Sequence, residues 1–129
     1  MNIGAWFTRS ETRQHRAPGE MLFMEGEQPA GVYILYSGRI DLLFAARNGK
    51  VKPLRVALPG QMLGVSTVVL ARPHDCSATT RTACDIGFIE QDEFLGALAD
   101  NPAIWFSVLR VLSSDVYAVY DDMRTLAVG

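Results

Sequence analysis

The sequence predicts a mainly β domain, a roll or barrel of short strands, followed by helices at its C-terminal end. Two observations carry that expectation. Between Pro18 and Gly64, glycines at Gly19, Gly26, Gly31, Gly38, Gly49, Gly60 and Gly64 separate short runs rich in β-branched and aromatic residues, the rhythm of turns between strands. Beyond Glu90 the apolar spacing lengthens from two towards ~3.6, the period of a helix. A length of 129 residues bounds the answer to one domain, expected as a β part over about residues 14–90 and a helical part over about 92–127.

Composition narrows the class. Hydrophobic residues make up 49% and charged residues 20%, which fits a folded globular chain rather than a disordered one. A net charge of −2 supplies no long-range attraction for nucleic acid. No run approaches the ~20 apolar residues needed to span a bilayer, and MNIGAWFTRSETRQHR has no signal-peptide core, so the expected location is cytoplasmic, away from membranes. The two cysteines, Cys76 and Cys84, are too few for a disulfide framework and lack the CxxC form of zinc or redox sites; the expected role is that of small buried side chains.

In chain order, residues 1–16 are polar and weakly patterned; Ile3, Trp6 and Phe7 could form part of a short helix or a tacked-down arm, and no regular structure is assigned there. MLFM, VYILYS, IDLLFAA and VKPLRVAL read as strands. Ser37-Gly38 and Asn48-Gly49 are the expected hairpin turns, because both turn types need the positive φ that glycine and asparagine accept. Pro53 cannot donate to a ladder, which predicts an edge or bulged strand there. SATTRTA and DIGFIE give two more strands, ending near Glu90. Asp92 is the expected N-cap of a short helix through Leu98, and Asn101 with Pro102 suits the start of a second. In that second helix Trp105, Leu109, Leu112, Val116, Val119, Met123 and Leu126 recur in alternating steps of four and three, a heptad-like seam. Its distal half reaches beyond what a small roll can cover, which predicts a homodimer through this helix.

The remaining stretch, PGQMLGVSTVVLARPHDCSA from Pro59 to Ala78, reads as a short helix held in a loop, with backbone N–H groups able to meet an anion. An enzyme is not expected. His15 and His74 stand in no nucleophile or metal constellation, and a Cys76/His74 pair has no third group to orient the imidazole.

PGEMLFMEGEQPAGVYILYSGRIDLLF, PGQMLG, DIGFIEQDEF and NPAIWFSVLRVLS, in this order, resemble the cyclic-nucleotide-binding domain of the CRP/FNR type. The resemblance implies a double-stranded β-roll, jelly-roll-like, followed by a short helix and a long C-terminal helix through which many members dimerise. It also implies a ligand inside the roll, its cyclic phosphate held by a cassette that begins Gly-Glu-Leu and ends with Arg before a small pair. Gly64 matches the cassette glycine, but Val65 and Ser66 follow it, so the carboxylate that accepts from the ribose hydroxyl is missing. A gapless alignment puts His74 at the arginine; matching Ser77-Ala78 to the small pair puts Cys76 there. Arg72 and Arg81 are nearby substitutes in sequence.

Within this resemblance the candidate degenerate cassette is Gly64, Val65, Ser66, Thr67, His74, Cys76 and Ser77, in a cavity lined by Val65, Ser66, His74 and Ser77. The expected function is a non-enzymatic sensor or regulatory module with weak or absent cAMP and cGMP binding. Its ligand, if any, is a cyclic nucleotide or another small anion. The alternatives are a dimeric protein-interaction module with a collapsed pocket, or the sensory fragment of a longer regulator. The chain reaches Gly129 without room for a helix-turn-helix, so no direct nucleic-acid binding is expected of it, and two cysteines cannot hold an iron–sulfur cluster of the FNR kind.

Overall fold

A computed structural model describes residues 11–101 and 103. They form eight strands and two helices: β1 (Glu11–Arg16), β2 (Met21–Phe23), β3 (Gly31–Ser37), β4 (Ile40–Ala45), β5 (Val51–Ala57), β6 (Met62–Leu63), α1 (Val65–Val69), β7 (Ser77–Thr80), β8 (Cys84–Glu90) and α2 (Gln91–Asp100). The strands make two antiparallel four-stranded sheets, ordered β1-β8-β3-β6 and β2-β7-β4-β5. The mainly β fold expected from the glycine rhythm is therefore present. The long-helix residues Leu109, Leu112, Val116, Val119, Met123 and Leu126 lie outside the described residues, as do residues 1–10 and Pro102.

Two apolar clusters sit on opposite faces of the first sheet. Phe23, Tyr33, Leu35, Ile40, Leu42, Ala57, Leu63, Ala78, Cys84 and Ile86 fill the space between the sheets. Val32, Ile34, Met62 and Ile89 point the other way, under α1 and α2, where they meet Val65, Val68, Phe94 and Leu98. Alternation of side chains along β3 produces this division, with Tyr33 and Leu35 inside and Val32 and Ile34 outside. That double burial explains why VYILYS is a nearly continuous apolar run.

Several local expectations need correction. Residues 11–16, assigned no structure from sequence, form β1 and pair with β8 from Glu11↔Ile89 to Arg16↔Cys84. Its charged residues hide it, because they occupy the outer face: Arg13 stacks on the Tyr36 ring at 3.5 Å and His15 Nδ1 lies 2.8 Å from Asp85 Oδ1. Ser37-Gly38 is not a hairpin turn. β3 and β4 belong to different sheets, and Gly38, at φ +98°, carries the chain across from one to the other. SATTRTA likewise divides after Thr80, so Cys76 and Cys84 share no strand; both are free thiols, and only Cys84 is buried. The helix expected after Glu90, α2, starts at Gln91 and is capped by Glu90, whose carboxylate accepts from Glu93 N, rather than by Asp92; β8 runs straight into it.

Other expectations hold. The Asn48-Gly49 turn joins β4 to β5, with Gly49 at φ +80° and its N–H donating to Ala46 O at 2.9 Å. β5 is an edge strand and is irregular at Pro53: Leu42 opposes Arg55 and Leu43 opposes Pro53, leaving Leu54 as an extra residue. The Asn101 side chain accepts from Ala103 N at 3.2 Å, the bond of an N-cap.

Candidate functional site

The site grows out of the chain between β6 and β7. Gly64 stands at φ +86° as the N-cap of α1, a conformation that a β-carbon would strain, and its carbonyl accepts from Val68 N and from Thr67 Oγ1, both at 3.1 Å. The helix lasts one turn and a half because Ala71 adopts φ +53°, after which Arg72 N donates to Thr67 O at 2.9 Å. The following loop is tied to the turn after β2: His74 N donates to Glu27 O, and Gly26 N to His74 O, each at 2.9 Å. Ser77 Oγ accepts from Glu25 N at 2.9 Å. These bonds fix where the His74 side chain enters the roll.

His74 is 5% exposed and lies flat against Phe23, ring centroids 3.9 Å apart at 17°. Its Nδ1 is 3.4 Å from Thr67 Oγ1. The Thr67 hydroxyl also donates to Gly64 O, so this side chain joins the ring to the start of α1. Burial pushes the His74 pKa down, opposed by the nearby carboxylates of Glu27 and Asp75. At neutral pH the ring is therefore uncharged.

This burial has a measurable consequence. Because the folded pKa lies below the ordinary value of 6.5, an unfolded chain takes up a proton on acidification before the folded chain does. His74 then lowers stability as pH falls from 6.5, with a slope of at most about 1.4 kcal/mol per pH unit that vanishes below the folded pKa. Urea denaturation between neutral and mildly acid pH should show the wild type losing more stability than His74→Phe, which keeps an aromatic ring against Phe23. Equal losses in the two proteins contradict the assignment.

A cavity of about 60 Å³ opens between the sheets at α1. It is lined by the apolar Phe23, Leu42, Leu54 and Leu63 together with Gly64, Ser66, Thr67, His74, Arg55, Asp75 and Cys76. Five of the seven cassette residues expected from sequence thus come together: Gly64, Ser66, Thr67, His74 and Cys76. Val65 and Ser77 do not line the cavity. Val65 is fully buried on the other side of α1, against Phe94 and Leu98, and Ser77 is turned to the Glu25 backbone. Arg72 and Arg81 do not line it either: Arg72 is 3.5 Å from Asp75, and Arg81 is 2.7 Å from Asp41.

Arg55 was missed by sequence reasoning. Strict alternation puts Leu54 and Arg55 on opposite faces of β5, but the irregularity at Pro53 lets both reach the cavity. The signal was present in Pro53 itself. Among the described residues, no group of three or more His, Cys, Asp or Glu side chains is placed to hold a metal ion, and no helix is long and apolar enough to cross a membrane.

Two antiparallel sheets with a short helix inserted before β7 define the class of protein. Residues 13–101 match the model of the cyclic nucleotide-binding domain, and the chain belongs to that family. It is 32% identical over 95 residues to a CRP-like cAMP-activated global transcriptional regulator from Mycobacterium tuberculosis, a match covering 74% of this chain and 42% of that protein. The chain therefore spans less than half the length of that relative. Among solved structures it is similar to the catabolite activator protein of Thermus thermophilus, with a TM-score of 0.82 at 15% identity over 98% of this chain and 59% of the other. It is also similar to the c-di-GMP responsive global regulator CLP of Xanthomonas campestris, with a TM-score of 0.80 at 17% identity over 97% and 63%. The resemblance read from PGEMLFMEGEQPAGVYILYSGRIDLLF, PGQMLG, DIGFIEQDEF and NPAIWFSVLRVLS is borne out, and so is the β-roll it implied.

Proposed function

We propose that this chain is a non-enzymatic sensor or regulatory module, a single cytoplasmic domain of 129 residues that pairs through the helix carrying Leu109, Leu112, Val116, Val119, Met123 and Leu126. Its cavity is retuned away from cAMP and cGMP. The observation that carries this reading is the chemistry of the side chains that α1 and the loop after it bring to the cavity. Ser66, Thr67 and an uncharged His74 stand there, and no glutamate contributes to it. A cyclic nucleotide asks for a cation at its phosphate and an acceptor at its ribose. α1 and the loop after it bring neither a glutamate nor an arginine to the cavity; hydrogen bonds to charged groups contribute about 1.5–3 kcal/mol each, so losing both cassette contacts weakens binding by roughly two to four decades. Calorimetry with cAMP and cGMP should give no isotherm in the micromolar range. A micromolar isotherm with one site per chain sinks the reading.

The cavity volume favours a second reading. About 60 Å³ is far below the ~300–1,000 Å³ of ordinary ligand sites. On that reading the roll serves as a frame that presents its dimerising helix to a protein partner, without direct contact to nucleic acid. The share of the mycobacterial regulator that is matched, 42%, also fits the sensory part of a longer regulator.

A further inference from the structure

We infer that Asn48 is a site of spontaneous covalent modification, where the Gly49 backbone nitrogen closes on the Asn48 side-chain amide and water opens the ring to aspartate or isoaspartate. The site lies at the tip of the β4–β5 hairpin and does not depend on what the cavity binds. Asn48 and Gly49 are both exposed, and Gly49 has no side chain to crowd the attacking nitrogen. Asn48 Oδ1 accepts from Lys50 N at 3.0 Å. That donor polarises the side-chain carbonyl and is in place for the oxygen that gains negative charge as the nitrogen attacks. The local field helps as well. Between Asp41 and Asp75 the sequence holds five arginines and lysines and no carboxylate, and the exposed Arg47 and Lys50 flank the pair. Nearby cations favour the deprotonated nitrogen. One carboxylate from elsewhere, Glu25, reaches the base of the hairpin tip, where it accepts from Ala45 N at 2.8 Å.

In the first step hydroxide takes the Gly49 N–H proton and the nitrogen bonds to Asn48 Cγ. The bond from Cγ to the side-chain nitrogen breaks, and that nitrogen leaves as ammonia with a proton from water. Water then adds to one of the two carbonyl carbons of the five-membered ring and breaks its bond to Gly49 N. Addition at Cγ gives aspartate; addition at the main-chain carbon gives isoaspartate. The fold slows the reaction without preventing it. Gly49 N donates to Ala46 O at 2.9 Å, and this bond must open first, but an exposed turn opens at small cost. The other two of the chain's three asparagines are poor sites: Asn101 precedes Pro102, whose nitrogen has no proton to lose, and Asn2 precedes the β-branched Ile3. The product carries the first carboxylate between Asp41 and Asp75, in the middle of a cationic hairpin.

The test is peptide mapping by mass spectrometry of the full chain after prolonged incubation in mildly alkaline buffer, with the same chain in urea alongside. Amide loss at Asn48 in the folded chain, ahead of Asn2 and Asn101 and with isoaspartate among the products, is the expected result. Gly49→Ala should slow it roughly 10-fold or more, because a β-carbon crowds the attacking nitrogen and raises the barrier. The inference is overturned if Asn2 or Asn101 loses its amide first, or if Gly49→Ala reacts like the wild type. It is overturned equally if the folded chain keeps Asn48 intact while the chain in urea reacts, since the Gly49–Ala46 bond then protects the site. The comparison among the three asparagines needs no variant, so a folding defect in Gly49→Ala does not shield it.

Discussion

Val65→Glu should destabilise the protein by about 4–7 kcal/mol at pH 7 and should not create a nucleotide site. From the family pattern, a glutamate after Gly64 looks like the restoration of a ribose ligand. The structure places Val65 on the opposite side of α1, fully buried among Ile89, Phe94 and Leu98. A carboxyl group there stays neutral, which costs about 3–4 kcal/mol at pH 7 from an ordinary pKa near 4.3, and its extra bulk adds ~1–3 kcal/mol. Ser66→Glu faces the cavity and should cost less than about 1 kcal/mol. Urea denaturation of both variants decides the matter. Relative to wild type at the same pH, Val65→Glu should also regain stability on moving from pH 7 to pH 5, because protonation then costs little. Similar stability of the two variants at pH 7 would mean that Val65 is not oriented as described.

Gly38→Ala is expected to cost at least about 3 kcal/mol, more than a change in an ordinary surface turn. Two separate effects add. At φ +98° an alanine is strained by ~1–3 kcal/mol, and its β-carbon would press into the Ala83 carbonyl oxygen and lie 2.6 Å from Cys84 Sγ and 2.9 Å from Thr82 Oγ1. Two of these neighbours are fixed: Ala83 is backbone, and the Cys84 thiol is held near Arg39 O at 3.4 Å and Thr82 O at 3.3 Å. Gly49→Ala is the control, with φ +80° but nothing within 4 Å of the added carbon, and should show the strain alone. Equal losses for the two variants in equilibrium denaturation would remove the steric part of the argument.

The fold was legible because its signals are local. Glycines that need positive φ, apolar runs between them, and a change of period after Glu90 each report on a few neighbouring residues. What escaped reading depends on partners distant in sequence. The strand character of Glu11–Arg16 rests on pairing with β8, about seventy positions away, and its outward charges resemble those of a loop. Ser37-Gly38 has the composition of a hairpin turn, and only the separation of β3 and β4 into two sheets reveals a crossing.

At the site the same rule holds. Gly64, Ser66, Thr67, His74 and Cys76 could be grouped from sequence because they lie within one short stretch. The direction in which Val65 points could not be read, since it depends on α2 packing beside α1, and Arg55 was hidden by an irregularity whose proline was noticed without its consequence. The uncharged state of His74 also required the fold, because it follows from burial against Phe23.

The two-faced first sheet and α1 bear on how such a domain can change its specificity. Residues that meet the cavity and residues that meet α2 interleave along the chain, as in Met62 and Leu63, or Val65 and Ser66, yet they belong to separate packed layers. A substitution at Ser66 or Arg55 can alter what is bound without touching the helix-facing set that holds the architecture. Ligand chemistry is thereby uncoupled from foldability, and one frame can pass through many recognition states without first being rebuilt.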